Sequence, residues 1–319
     1  MAEAVTVEPA ARPAGRTSAL ALLSAATLLG MTTWFSASAV IPQLREEWAL
    51  SSGTAAWLTI SVQLGFVAGA LVSAAFNVAD VFPPRRVIAV AVLGAAGANA
   101  LVTAAGGAAA GIPLRFLTGF FLAGVYPPGL KVVASWYRPT ERGTALGILI
   151  GAITLGSAVP HLVNGLGGLP WRTVVAVSSA LTVAGGAIAL GLVRDGPYPF
   201  PRAVFDPSQF RRVFANRGVR LASLGYFGHM WELYAMWAWF LLFFTDSLAA
   251  AGRPDPGAAA LATFAVIGSG ALGCWLGGVL GDRWGRSRTT AVAMAISGTC
   301  ALTIGLLFGR SPWLVLAVG

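Results

Sequence analysis

The 319-residue chain is short of charge: Asp, Glu, Lys and Arg make up 10% of it, against about 25% in a soluble domain. Lysine is nearly absent, Lys131 being the single one among 21 basic residues. Histidine and cysteine occur twice each. So few ionisable groups cannot coat a water-soluble protein of this length, which excludes an ordinary soluble enzyme. Cys274 and Cys300 stand apart inside apolar stretches and read as small core residues, with no disulfide framework. Metal-ligand spacing and paired catalytic acids are missing too, so no metal, cofactor or catalytic residue is expected, and a membrane-embedded enzyme is the poorer reading.

What is abundant is apolar: 56% of residues are hydrophobic and 40 are glycine. That excludes disorder and leaves an all-α polytopic membrane protein, whose solvent is lipid over most of its outside. The net charge of +9 does not point to nucleic acid, because the arginines recur singly or in small clusters between apolar runs.

A bilayer core about 30 Å thick takes about 20 apolar helical residues. That ruler predicts nine full spans, near 18–40, 55–76, 87–105, 112–135, 143–165, 173–193, 219–245, 258–280 and 289–309, with part of a tenth from Pro312. Ser51 to Thr54 and Pro139 to Glu141 carry N-cap chemistry for the second and fifth helices. The expected organisation is a cytoplasmic tail (1–17), a six-helix N-terminal bundle (18–193), a cytoplasmic central loop rich in Pro, Phe and Arg (194–218) and a partial C-terminal bundle (219–319). Sixteen basic residues fall on the N-terminal side of the membrane and 5 on the other, which predicts a cytoplasmic N-terminus and placement in the plasma (inner) membrane. Trp48, Trp57 and Trp171 are expected at the outer headgroups, Trp136 and Trp284 at the inner ones. Glycines at three- to five-residue steps give faces on which helices approach closely.

An internal repeat is visible. After the eighth helix come Gly278, Asp282, Arg283, Gly285 and Arg286, an acid at a helix end followed by arginines and a turn glycine, suited to a charge latch between helix ends. After the second helix stands a weaker copy, Asp80 with Arg85 and Arg86 behind two prolines. The two acids are 202 residues apart, each in the loop after the second helix of a six-helix unit. Such repeats are the usual construction of secondary transporters.

Here the chain resembles the major facilitator superfamily (MFS). Gly278-x-x-x-Asp282-Arg283-x-Gly285-Arg286 looks like its motif A, and Arg115-x-x-x-Gly119 in the fourth helix looks like its motif B. Gly147, Gly156 and Pro160 partly resemble the antiporter motif C, without its Gly-Pro pair. The N-terminal copy of motif A has Phe76, Val81 and Pro83 where the family has Gly, Arg and Gly. The resemblance implies twelve helices in two halves. It therefore implies that this sequence stops short of the family's length by about two and a half helices, and that the chain alone transports poorly.

Ionisable residues at membrane depth are functional candidates. Glu232 is the sharpest, near the middle of the seventh helix, with His229 one turn earlier on the same face. Either the pair exchanges protons or it ties the helix to a neighbour. Arg115 is read near the outer end of the fourth helix, where it either snorkels or assists substrate-anion attraction or proton coupling. Lys131 is expected to snorkel to the cytoplasmic side, and His161 to line a polar path or take a proton. Trp231 and Tyr234 stand beside Glu232 as possible cavity walls, with lipid-facing bulk as the alternative. The expected function is a secondary active transporter of a small, possibly anionic solute, proton-coupled, working by alternating access as a monomer in the lipid bilayer. The alternatives are a drug or metabolite efflux antiporter of the same fold and a transport-inactive, receptor-like protein.

Overall fold

The structure is a computed structural model that describes residues 13–139, 141–166, 168–198 and 214–319. Arg12, Thr140, Arg202, Arg211 and Arg212, and most of the expected central loop, lie outside the described residues. Among those described, every regular element is helical. Eight helices are long and apolar enough to cross a membrane, and a bent pair makes a ninth.

The first span departs most from expectation. Instead of one helix over 18–40, α1 (Arg16–Gly30) gives way to short 3-10 turns at Met31–Thr33 and Ser38–Val40, then to α2 (Ile41–Glu47), with a 46° bend. Thr32 and Ser36 bond backward to the carbonyls of Leu29 and Thr33, the local competition that disfavours a continuous helix. Pro42 sits in the first turn of α2, where its missing N–H costs nothing.

The second and third spans are α3 (Ser52–Ala75) and α5 (Pro84–Leu101), joined through the short α4 (Val78–Val81). The Ser51 side chain caps α3 as expected, accepting from the Thr54 N–H at 3.1 Å. The fourth span is also broken, into α6 (Ala108–Leu122) and α7 (Tyr126–Trp136). Pro127 and Pro128 lack the N–H groups that would continue the ladder to Ala123 and Gly124. The fifth and sixth spans are α8 (Arg142–Gly165) and α9 (Trp171–Gly191). After the undescribed stretch come α10 (Arg217–Ala250), α11 (Pro256–Trp284) and α12 (Arg286–Thr303), then α13 (Pro312–Val318). At 34 residues, α10 overruns the expected 219–245 at both ends. Asn216 caps its start, accepting from the Gly218 and Val219 N–H groups.

Small residues set the packing. A Cβ built on Gly65 would lie 1.9 Å from the Phe116 carbonyl oxygen, and one on Gly119 would lie 1.8 Å from that of Val62. Only glycine lets α3 and α6 approach so closely. The antiparallel seam between α8 and α11 works the same way: Gly147 faces the Cys274 carbonyl, Gly151 that of Ala271, and Gly278 that of Gly143. Cys274 is half-buried in this seam. At the start of α9, Trp171 is buried against its neighbours: its ring meets Trp48 edge-on and its indole N–H donates to Glu47, which Arg172 pairs at 2.7 Å.

Candidate functional site

Arg115 does not snorkel. Its side chain is fully buried on α6. Nη1 donates to the Thr33 carbonyl at 2.9 Å, to Asn99 Oδ1 at 2.8 Å and to Ser36 Oγ at 3.2 Å, and Nη2 donates to the Trp34 carbonyl. The broken first span explains the fit. Where helical bonding lapses between residues 31 and 40, carbonyls are left over, and the planar guanidinium fork fills them. Asn99 extends the network, donating to Ser179 Oγ at 2.9 Å and to the Val175 carbonyl at 3.3 Å. Arg115 thus fastens α5, α6, α9 and the bend of the first span to one another. It has no carboxylate partner among the described residues.

Two aromatic residues beside that bend reach α10. Trp34, whose carbonyl Arg115 holds, stacks on Tyr234 with ring centres 6.1 Å apart and planes at 23°. Phe35 meets Trp237 edge-on at 5.7 Å. Tyr234 therefore joins the first helices to the later ones instead of standing beside Glu232 as a wall. Trp231, one turn earlier on α10, is 82% exposed and lines a cavity with His229 and Glu232.

Glu232 stands close to the midpoint of α10 and its Oε1 accepts from Ser297 Oγ of α12 at 2.8 Å. His229 is half-buried one turn earlier, with no hydrogen bond to Glu232 and with Nδ1 unpartnered. Both line a cavity of about 580 Å³ with Ser297 and Cys300. Among the described residues no cluster of His, Cys, Asp or Glu is arranged to hold a metal. A second cavity, of about 630 Å³, opens between α3 and α10, lined by Arg45, Gln63, Trp231, Tyr234 and Trp239 among others. The structure does not bring Arg115 to either. Gln63 and Arg45 were missed by a search for deep charge, although a lone amide in an apolar 24-residue helix was itself a readable signal. His161 is buried on α8 with both ring nitrogens unpartnered.

Where α8 begins, the Asp282 carboxylate accepts from the Thr144 N–H at 3.1 Å and from its hydroxyl at 3.0 Å. The third residue of α8 thereby gets the acceptor that its own N-cap, Glu141, does not supply. An acid from the later helices caps a helix of the first set, where the helix dipole favours negative charge. Gly143 leaves the space: a Cβ there would lie 2.1 Å from Asp282 Oδ1. Gly285 takes the turn between α11 and α12 at φ 88°, a left-handed value that suits glycine. Arg283 and Arg286 are exposed and, against expectation, pair with nothing among the described residues; they are solvated rather than part of the latch. The N-terminal copy is built differently. Asp80, in α4 between the second and third spans, forms an ion pair with Lys131 of α7, and neither Arg85 nor Arg86 joins them. Nearby, Arg16 pairs with Glu141 at 2.8 Å and lies over the Tyr137 ring.

Comparison with known proteins follows the same lines. The family model described as Major Facilitator Superfamily matches residues 22–319. The chain is 27% identical over 199 residues to a probable actinorhodin transporter of Streptomyces coelicolor, covering 60% of this chain and 34% of that protein. It is 27% identical over 271 residues to the probable sulfoacetate transporter SauU of Cupriavidus necator, covering 77% and 60%. A gallate transporter of Pseudomonas putida is 24% identical, with 88% of this chain and 68% of that protein covered. The chain thus spans between about a third and two thirds of the length of these relatives. Among solved structures, a bacterial homologue of the human lysosomal transporter Spinster, in an inward-facing, unoccupied conformation, superposes with a TM-score of 0.64 at 17% identity, covering 97% of this chain and 73% of that one. That likeness is one of fold.

Proposed function

The chain belongs to the Major Facilitator Superfamily and is an integral membrane protein, and we propose that it serves proton-coupled transport of a small organic anion by alternating access. One observation carries the reading: Asp282, from the later helices, caps α8 of the first set across a seam of glycines. A cap is made or lost as a unit and a glycine seam presents little to unlock, so such a joint suits two helix groups that rock on each other. Breaking the cap frees the cytoplasmic ends to part, while the Trp34–Tyr234 stack joins the two groups elsewhere.

Glu232 is the proton carrier in this reading. It stands near the middle of an apolar helix, lines a cavity, and among the described residues has one neutral hydroxyl partner and no ion pair. The N-terminus faces the cytoplasm, by the bias of basic residues, and the protein acts as a monomer in the cell membrane. An anionic solute accords with relatives named for sulfoacetate and gallate. The test is flux in membrane vesicles from cells producing the protein, with and without an imposed pH gradient. Glu232→Gln is expected to abolish gradient-driven flux while leaving exchange of unlabelled for labelled solute. Unchanged gradient-driven flux in that variant overturns the coupling role, and the sign of flux under the gradient sets its direction.

A further inference from the structure

The end of α7 is held in a way that neither the Asp282 cap nor Glu232 explains. The helix stops at Trp136 without a glycine: Tyr137 is extended, at φ −120° and ψ 138°, so the left-handed turn that commonly closes a helix is absent. Two other segments pair its last carbonyls instead. One is a strap, Arg194 to Tyr198, just past α9. The Tyr198 N–H donates to the Ser135 carbonyl at 2.9 Å and the Gly196 N–H to Ser135 Oγ at 2.8 Å, while the Trp136 indole N–H donates to the Arg194 carbonyl at 2.9 Å. Arg138 Nε adds a bond to the Tyr198 hydroxyl at 3.2 Å. The fit has no slack, since a Cβ on Gly196 would lie 2.1 Å from the Ser135 carbonyl oxygen. The second segment is the first residue of α8. Arg142 donates from Nε to the Tyr137 carbonyl at 2.9 Å and from Nη2 to the Ala134 carbonyl at 3.0 Å. Two residues on stands Thr144, whose N–H and hydroxyl both donate to Asp282.

We propose that the strap is a positioning element for the joint between the two helix sets: it holds the end of α7 in shape, and Arg142 passes that shape to the start of α8, where Asp282 caps. The rigid guanidinium fork spans two carbonyls, of Ala134 and Tyr137, that keep their spacing only while the last turn of α7 stays formed. Ser135 and Trp136, the residues between them, are the ones the strap fastens. When the strap lifts, the buried Ser135 carbonyl loses its donor and the last turn frays. The fork then loses its two-point seat, and Thr144 loses its fixed place opposite Asp282. The strap opens the stretch of chain between α9 and α10, so the connection between the sets is itself fastened beside the joint on which they meet. The consequence for transport, a joint that parts more readily, rests on the alternating-access reading; the coupling of strap to cap does not.

The test reads the joint rather than flux, so the two readings fail separately. In vesicles from cells producing the Thr154→Cys protein, mild oxidation joins position 154 to Cys274 across the α8–α11 seam, where the native side chains meet at 3.9 Å, and the rate reports how much of the time the joint is closed. Gly196→Ala, which has no room for its methyl group, is expected to slow trapping about two- to tenfold. Trp136→Phe removes one donor, keeps the ring and should slow it less. Gly191→Ala, whose Cβ meets nothing within 4 Å, should leave it unchanged. With Arg142→Gln or Asp282→Ala already in place, Gly196→Ala should add no further slowing, because the links act in series. Unchanged trapping in Gly196→Ala, or slowing that multiplies with that of Asp282→Ala, overturns the proposal, even if thermal stability falls. Where Gly196→Ala does not fold, Trp136→Phe decides by the same two criteria. Intact series coupling without flux of any solute sinks the transporter reading and leaves the strap standing; flux with trapping indifferent to the strap does the reverse.

Discussion

Arg115 and Glu232 are the deepest charged groups of the two helix sets, and they are held in opposite ways. Arg115 is fully buried and donates to four acceptors, two of them carbonyls of a broken helix. Glu232 is partly exposed and accepts from one serine hydroxyl. The surroundings differ in step. Half of the apolar window of Pro84–Ala104 is buried inside the protein, and likewise for Arg142–Gly165, against a third for Arg217–Ala250. The first set is a close-packed frame with a polar centre. The later helices lie along it, touching it through the α8–α11 seam and the aromatic stack. A charge bound by several fixed dipoles is structural, because each partner would be orphaned by its removal. Glu232 has one contact of this kind, with a rotatable hydroxyl, so its replacement disturbs little else.

Replacement of each charge separates the two cases. Arg115→Leu leaves the carbonyls of Thr33 and Trp34 and the Asn99 side chain short of donors in a buried site, at about 1–3 kcal/mol for each unsatisfied group. A loss of at least about 3 kcal/mol is expected, read as a large fall in the thermal unfolding temperature in detergent; Arg115→Lys keeps the charge but not the fork and should recover only part. Glu232→Gln keeps a hydrogen-bonding group beside Ser297 and should change stability by less than about 1 kcal/mol. Equal stability losses for Arg115→Leu and Glu232→Gln would erase the contrast.

The frame's packing gives the next largest effect. Gly119→Val drives a side chain into the Val62 carbonyl and forces α3 from α6, at about 1–3 kcal/mol of overpacking. The same change at Gly273, where a Cβ would meet nothing within 4 Å, should leave thermal unfolding unaltered. If Gly119→Val and Gly273→Val melt alike, the close approach of α3 and α6 is not what orders the frame.

Much of this was legible in the residues, and the misses have particular causes. Apolar runs located the spans because bilayer thickness fixes helix length, and the repeat drew attention to Asp282. The bend of the first span was readable in principle, since Thr32, Thr33, Ser36 and Ser38 crowd one segment, but hydroxyls suit helix–helix bonding equally well. Once that bend is unseen, the partners of Arg115 are unseen too, because they are backbone carbonyls and carry no sequence signature. The partner of Lys131 was unseen for a related reason: Asp80 lies 51 residues away, and the breaks around α4 and α7 bring them together. Arg283 and Arg286 came with the motif, yet the acid alone finds a partner. A motif names residue types at a spacing, while the contact depends on which helix end the fold sets opposite.

The two acids of the repeat offer the smallest and sharpest test. Asp282 is exposed and faces backbone donors of α8, whereas Asp80 is largely buried and faces Lys131. Asp282→Asn keeps an acceptor for the Thr144 N–H and loses only the interaction with the helix dipole, so a loss of about 0.3–1 kcal/mol is expected, shrinking as salt is raised. Asp282→Ala removes the cap as well and should cost about 1 kcal/mol. Asp80→Asn removes the carboxylate that pairs with Lys131 in a part-buried site and should cost more than either, with little dependence on salt. Disulfide trapping between Cys274 and a cysteine placed at 154, side chains that meet at 3.9 Å across the α8–α11 seam, adds a conformational readout: Asp282→Ala should slow it, and Asp80→Asn should not. If both acids respond alike to salt and to trapping, the two copies of the repeat do the same work, and the difference between a cross-set cap and an ion pair inside one set has no mechanical meaning.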